Sequence, residues 1–253
     1  MDIIVYILLL LIGGCLAGFM AGLLGIGGGI IITPILYNIF ITSGIDAKTA
    51  LTMTFATSLA VICITMINSS RKHYPNMHIE IYSIKSMLLL GFIGAITGAL
   101  TSKYVNVEIL KIIFGILCII SVIFISIIKS PTDDRQIVKN KLILNLTALP
   151  GGLMSGLIGP AGGAILIPIF IAYLKYPMHK TIGTTSILSV TTAIGGIIMY
   201  VYMGINNPTL PSYTIGYISI IPLIILTITS IPVSTYAANL SRKIDTKKLK
   251  YYR

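Results

Sequence analysis

Six blocks of this chain, residues 3–24, 51–68, 81–100, 109–128, 182–202 and 213–238, run for eighteen to twenty-six residues with at most one charge in each. No other feature restricts the fold so tightly, because about twenty apolar residues at 1.5 Å rise match the hydrocarbon thickness of a bilayer. A backbone in lipid must satisfy its own polar groups, so only helices or a closed barrel are admitted. A barrel needs alternating segments of about ten residues, and these blocks do not alternate. The predicted class is all-α: a polytopic helical membrane protein. Only 10% of the 253 residues are charged, against roughly 25% in ordinary soluble domains.

Two stretches break this apolar regularity. "AGFMAGLLGIGGGIIITPIL" covers residues 17–36, and "PGGLMSGLIGPAGGAILIPIF" covers 150–170. At a constant offset of 134 residues, Gly18 falls on Gly152, Gly22 on Gly156, Gly25 on Gly159, Gly28 on Gly162, Gly29 on Gly163 and Pro34 on Pro168, with Ala161 standing where the first copy has Gly27. A hydroxyl-rich stretch follows each copy, "KTALTMTFATSL" from Lys48 and "KTIGTTSIL" from Lys180. The chain reads as a tandem duplication. A first transmembrane repeat spans 1–128, a cytoplasmic linker 129–141, a second repeat 142–240 and a basic cytoplasmic tail 241–253.

Nine apolar segments are expected, at about 3–25, 29–42, 48–69, 81–102, 108–128, 141–158, 162–175, 181–203 and 214–238. With the C-terminus placed in the cytoplasm, the inner regions hold 14 of the 18 basic residues, as the positive-inside rule requires. The N-terminus is then outside, in a multi-pass protein of the plasma membrane. Five segments separate the two glycine motifs, so they face opposite sides, giving two inverted-topology repeats of the kind used by secondary transporters. Segments 29–42 and 162–175 are short for a full crossing. Each either crosses or returns along its predecessor as a helical hairpin.

Glycine and proline are poor residues for a helix interior. Their clustering predicts Gly-rich broken helices, with Pro160 suited to the second turn. A new helix starting at Gly28 or Gly29 would present unpaired N–H groups and a positive dipole end, an anion site without a charged side chain. The same is expected around Gly162 and Gly163, the two turns meeting near the midplane. Hydroxyls of the following helices would add donors: Thr52, Thr54, Thr57 and Ser58 in one half, Thr184, Thr185 and Ser186 in the other. The candidate substrate-binding set is thus Gly27, Gly28, Gly29, Thr54, Thr57, Ser58, Gly162, Gly163, Thr184, Thr185 and Ser186. By contrast, Gly18-xxx-Gly22 and Gly152-xxx-Gly156 carry small-residue spacing that serves close helix packing.

The acids point the same way. Asp2, Asp46, Glu80, Glu108, Asp133, Asp134 and Asp245 all fall in loops, termini or segment ends. A cation carrier or carboxylate proton relay would place an acid inside the bundle, so the expected cargo is an anion. His73, His78 and His179 form no ligand cluster, so neither a metal nor a cofactor is expected. Cys15, Cys63 and Cys118 lie in apolar blocks without CxxC spacing and serve as small hydrophobes. The net charge of +11 follows from loop asymmetry and not from nucleic-acid binding. The glycines match neither G-x-G-x-x-G nor a P-loop. Ser155 lacks a Gly-x-Ser-x-Gly frame, so no enzyme is expected. Apolar helix faces suit lipid and a second copy alike, which leaves a homo-oligomer open.

The pair "GFMAGLLGIGGGIIITPIL" and "GGLMSGLIGPAGGAILIPIF", each followed by a Thr-Ser-rich helix, resembles the TauE/SafE sulfite exporter family, the TSUP permeases, over residues 3 to about 240. The resemblance implies an inverted-repeat transporter of sulfur-containing anions such as sulfite, sulfonates (sulfoacetate) or thiosulfate, and the leading reading is export by alternating access. It carries the motif glycines onto Gly22, Gly25, Gly27, Gly28, Gly29, Gly156, Gly159, Gly162 and Gly163, and the Thr-Ser pairs onto Thr57-Ser58 and Thr185-Ser186. An anion channel on the same scaffold and a non-transporting membrane assembly subunit are the alternatives.

Overall fold

A computed structural model of the chain describes residues 3–25, 27–73, 81–127, 140–159, 161–205 and 207–251. Pro160, His78, Glu80 and the linker up to residue 139 lie outside the described residues, as do Asp2, Asp133 and Asp134. The described chain is almost wholly helical: α1 Ile3–Leu24, α2 Gly29–Thr42, α3 Ala47–His73, α4 Ile81–Ser102, α5 Val107–Ile127, α6 Lys141–Ile158, α7 Ala161–Pro168, α8 Met178–Gly204 and α9 Ile220–Tyr251. All nine expected segments are helices, and among the described residues five of them are long and apolar enough to cross a membrane.

Three boundaries differ from the sequence expectation. α7 stops at Pro168 and continues as a π-turn, Ile169–Tyr173, where Leu174 N–H donates to the Ile169 carbonyl at 3.0 Å. Proline has no N–H to give to the ladder, so widening of the next turn is a natural response. The last segment does not begin at 214. Thr214–Ile215 and Ile218–Ser219 form a two-stranded antiparallel hairpin first, and α9 starts at Ile220. α9 then runs into the basic tail as far as Tyr251.

Both short segments turn back along their predecessors. A Cβ on Gly13 would meet Ile35 Cδ1 at 2.7 Å, and one on Gly28 would meet the Ala17 carbonyl, so α2 runs antiparallel beside α1. Likewise a Cβ on Gly151 would meet Leu166 Cδ2 at 2.6 Å, so α7 returns along α6. Each glycine motif is therefore the tip of a helical hairpin.

Packing follows the duplication and crosses it. α1 packs most extensively on α9, and α6, the counterpart of α1 in the second half, packs on α4, the counterpart of α9. α3 and α8, also counterparts, pack on each other, and the α3–α9 contact is matched by α8–α4. The halves thus interleave, with α5 joining them. Small residues make this close approach fit. A Cβ on Gly22 would lie 2.1 Å from the Ser234 carbonyl, and one on Gly156 would lie 1.9 Å from the Ala95 carbonyl. The four glycines assigned to packing do pack, backbone against backbone.

The centre is α3, the most buried of the long helices. Leu51, Phe55, Leu59 and Cys63 line one of its faces within a cluster that also holds Leu157, Tyr200 and Ile218. Thr65 Oγ1 meets Ser230 Oγ at 2.9 Å, and Asn68 Nδ2 donates to Thr235 Oγ1 at 2.7 Å, tying α3 to α9 through buried polar contacts. The outward faces of α1 and α5, with Ile4, Leu8 and Ile12 on one and Ile112, Ile116 and Ile119 on the other, are exposed and wholly apolar. In a bilayer those faces meet lipid.

Candidate functional site

The first break runs from Gly25 to Gly28. Gly25, Gly27 and Gly28 have φ of 70°, 87° and 68°, a left-handed region that costs other residues strain. α2 begins at Gly29, and its N-cap, Gly28, supplies no side-chain hydrogen bond. Ile31 N–H donates to the Gly28 carbonyl at 3.1 Å, so in the first α2 turn it is the Gly29 and Ile30 N–H groups that are left without an intrahelical partner or a capping side chain. The second break is shorter. Gly159 alone has positive φ, 73°, and α7 already starts at Ala161. Ala161 replaces the left-handed Gly27, and alanine is the best helix former, so the new helix starts earlier here. Gly162 and Gly163 then sit inside the first turn of α7, whereas their counterparts Gly28 and Gly29 are the cap and first residue of α2.

Each break lies against the hydroxyl-bearing helix of the opposite half. A Cβ on Gly25 would meet Ile182 Cγ2 at 2.9 Å and Ser186 Oγ at 3.4 Å, both on α8. A Cβ on Gly159 would meet the Cα and Cβ of Phe55 at 3.1 Å, on α3 between Thr54 and Ser58. The two turns do not converge on one midplane point, as the sequence suggested. Gly27 lies against Ile62 of α3, seven residues beyond Phe55, or about 10 Å of helix. On α8, a Cβ on Gly196 would lie 3.9 Å from the Gly156 Cα, ten residues from Ser186, or about 15 Å. The cause is the hairpin geometry. The two tips are offset along the α3–α8 pair, with both of their α3 contacts, Ile62 and Phe55, in the middle of that helix.

The hydroxyls are less available than the sequence suggested. Thr54 donates to the Ala50 carbonyl at 2.7 Å, Ser58 to Phe55 at 3.0 Å, Thr184 to Lys180 at 2.9 Å, Thr185 to Thr181 at 2.8 Å and Ser186 to Ile182 at 2.6 Å. A hydroxyl has one proton, so these five offer lone pairs in this conformation and not the donors expected of them. Thr52, partly exposed, likewise bonds the Lys48 carbonyl. Thr57 differs: its Oγ1 accepts from Ser219 N–H at 3.0 Å, which leaves its own proton to give. Thr184 faces elsewhere, into an apolar cleft with Ile84, Met87, Leu88, Ile187 and Leu188 between α4 and α8.

Several participants escaped the sequence. The hairpin that places Ser219 on Thr57 has no signal beyond Gly216 inside an apolar run. Gly216 has φ of 55° and is pressed against the Val201 backbone. Lys180, which charge counting puts in an inner loop, is buried and is the one charged side chain in the described core. Tyr200, fully buried, donates to the Gly156 carbonyl at 2.8 Å. That carbonyl is among the last of α6 and has no helical partner, so Tyr200 caps α6 from α8.

Comparison with known proteins agrees with this architecture. The chain is 29% identical to a probable membrane transporter protein of Haemophilus influenzae, over 97% of this chain and 92% of that one. It is 32% identical to a probable membrane transporter protein of Methanocaldococcus jannaschii, over 96% and 89%, and 27% identical to one of Escherichia coli K12, over 75% and 68%. No solved structure matches it. The model of the sulfite exporter TauE/SafE family matches residues 10–252. With its glycine-tipped hairpins, interleaved halves and full-length match, the chain belongs to the TauE/SafE family of membrane transporters.

Proposed function

We propose that this protein exports small sulfur-containing anions, such as sulfite, sulfonates or thiosulfate, by alternating access, with its C-terminus in the cytoplasm and its two repeats inverted across the membrane. The observation that carries the reading is the crossed seating of the two breaks. The first rests through Gly25 on Ile182 and Ser186 of the other half's α8, with Gly27 against Ile62 of α3, and the second rests through Gly159 on Phe55, within the Thr54–Ser58 stretch of α3. Motion of one half against the other that loosens one tip tightens the other. An anion released at one end is then offered the amides at the opposite end, with Ser186 or Ser58 turning its proton from its own helix carbonyl onto the anion. Basic loops place the first break at the cytoplasmic end and the second at the outer end. The absence of acids from the described core favours an anion over a cation. An inside-negative potential drives such an anion outward by about 2.3 kcal/mol per charge per 100 mV.

The test is flux in proteoliposomes with sulfite, thiosulfate and sulfoacetate, for wild type and for Ser58→Ala and Ser186→Ala. These serines bond only their own helix, so the variants should fold. Saturable flux with counterflow, reduced several-fold in both variants, is expected. Large single-channel currents would make the protein a channel, and no movement of any of the three anions would remove the substrate class.

A further inference from the structure

The two breaks are not equally equipped. Among the described residues, four buried hydroxyls have no hydrogen-bond partner: those of Thr33, Ser69, Ser189 and Thr227. Three of these side chains are more than nine-tenths buried, Thr33 at 3%, Ser69 at 0% and Ser189 at 5% exposure. A buried hydroxyl without a partner is costly, and Ser69 and Ser189 each share a helix arc with residues that touch the first break. On α8, Ile182, Ser186 and Ser189 fall within one narrow arc at helical spacing, and the first two touch Gly25. On α3, Ile62, Met66 and Ser69 repeat that spacing. Ile62 touches Gly27, and Met66 packs with Ala21 in the cluster beside the break. Leu59 of α3 contacts Gly196 of α8, and continuing that antiparallel register brings Ser69 level with Ser186. Thr33 lies one turn into α2 on the side of Gly29. The Thr54, Ser58 and Thr57 hydroxyls near the second break all have partners.

Resting on the transport reading above, we infer that the high-affinity anion site is at the first break alone, where the uncapped amide end of α2 is completed by the hydroxyls of Ser69 and Ser189. Their protons are uncommitted in this conformation, so both can donate to an oxyanion. Charge-assisted hydrogen bonds of this kind are about twice as strong as neutral ones. The second break has one left-handed residue, committed Thr54 and Ser58 protons and only the Thr57 proton to give, and it releases the anion. Gly25 is packed directly on Ile182, so binding separates the α1–α2 tip from α8. Occupancy is thereby coupled to movement of the two halves.

The experiment is equilibrium binding of sulfite, thiosulfate and sulfoacetate to the full-length protein in nanodiscs, with thermal unfolding measured in parallel. Ser69→Ala and Ser189→Ala are each expected to weaken binding roughly tenfold while leaving Tm unchanged or raised, because they remove a polar group that bonds nothing in the anion-free state. Thr65→Ala on the α9 side of α3, which loses the contact with Ser230, should lower Tm and keep the affinity. Wild-type affinity in the Ser69→Ala/Ser189→Ala double variant at unchanged Tm overturns the inference and leaves the transport reading standing. Failure of wild-type protein to bind any of the three anions removes the reading and the inference with it.

Discussion

The two glycine breaks share one sequence pattern at an offset of 134 residues and solve the same turn differently. The first needs three glycines with positive φ and leaves α2 uncapped, while the second uses Gly159 alone and lets Ala161 start the next helix. The first is shaped by what glycine lacks, because a side chain at Gly28 would occupy the place of the Ala17 carbonyl. The second is supported from outside, by Tyr200 on the Gly156 carbonyl and by the hairpin whose Ser219 amide bonds Thr57. A duplicated chain can therefore keep its packing symmetry while its two polar ends diverge. That divergence suits a transporter that must capture at one face and release at the other.

The largest expected effect breaks the first turn. Gly28→Ala combines a strained left-handed residue with a backbone clash, and size-exclusion chromatography should show no monodisperse protein. Gly156→Val should come next, since its Cβ would lie 1.9 Å from the Ala95 carbonyl, whereas Gly115→Val on α5, with nothing within 4 Å, should behave as wild type. If both folded equally, close helix approach would not govern the second break. Tyr200→Phe removes the cap on α6 and should cost about 1–2 kcal/mol, read as a lower Tm. Ala161→Gly makes the second break resemble the first and should cost about 1 kcal/mol. A rise in Tm would mean that α7 does not start where alanine allows. Thr57→Val should have the smallest effect on stability, confined to faster hydrogen exchange at Ser219.

The parts of the fold legible in the sequence were those set by local rules. Apolar block length placed nine helices, because in lipid a segment must satisfy its own backbone. The breaks at Gly25–Gly28 and at Gly159 were legible because only glycine takes left-handed backbone freely. The small-residue spacing of Gly18, Gly22, Gly152 and Gly156 announced tight helix contacts, which the structure shows against α9 and α4. The hydroxyls of Thr54, Ser58, Thr184, Thr185 and Ser186 were visible as residues but not as hydrogen-bonding states. Whether a hydroxyl spends its proton on its own helix depends on the rotamer that its neighbours permit.

By itself, the sequence determined that this is a helical membrane protein, where its helices lie and that both glycine motifs break them. These follow from periodicity and from backbone freedom, which are properties of neighbours along the chain. The tertiary structure decided that α2 and α7 fold back, that the halves interleave, that the breaks are offset along α3 and α8, and that Ser69 and Ser189 are buried without partners. Those outcomes depend on which surfaces fit one another across more than a hundred residues of chain. Side-chain packing at that range is not encoded in any local pattern.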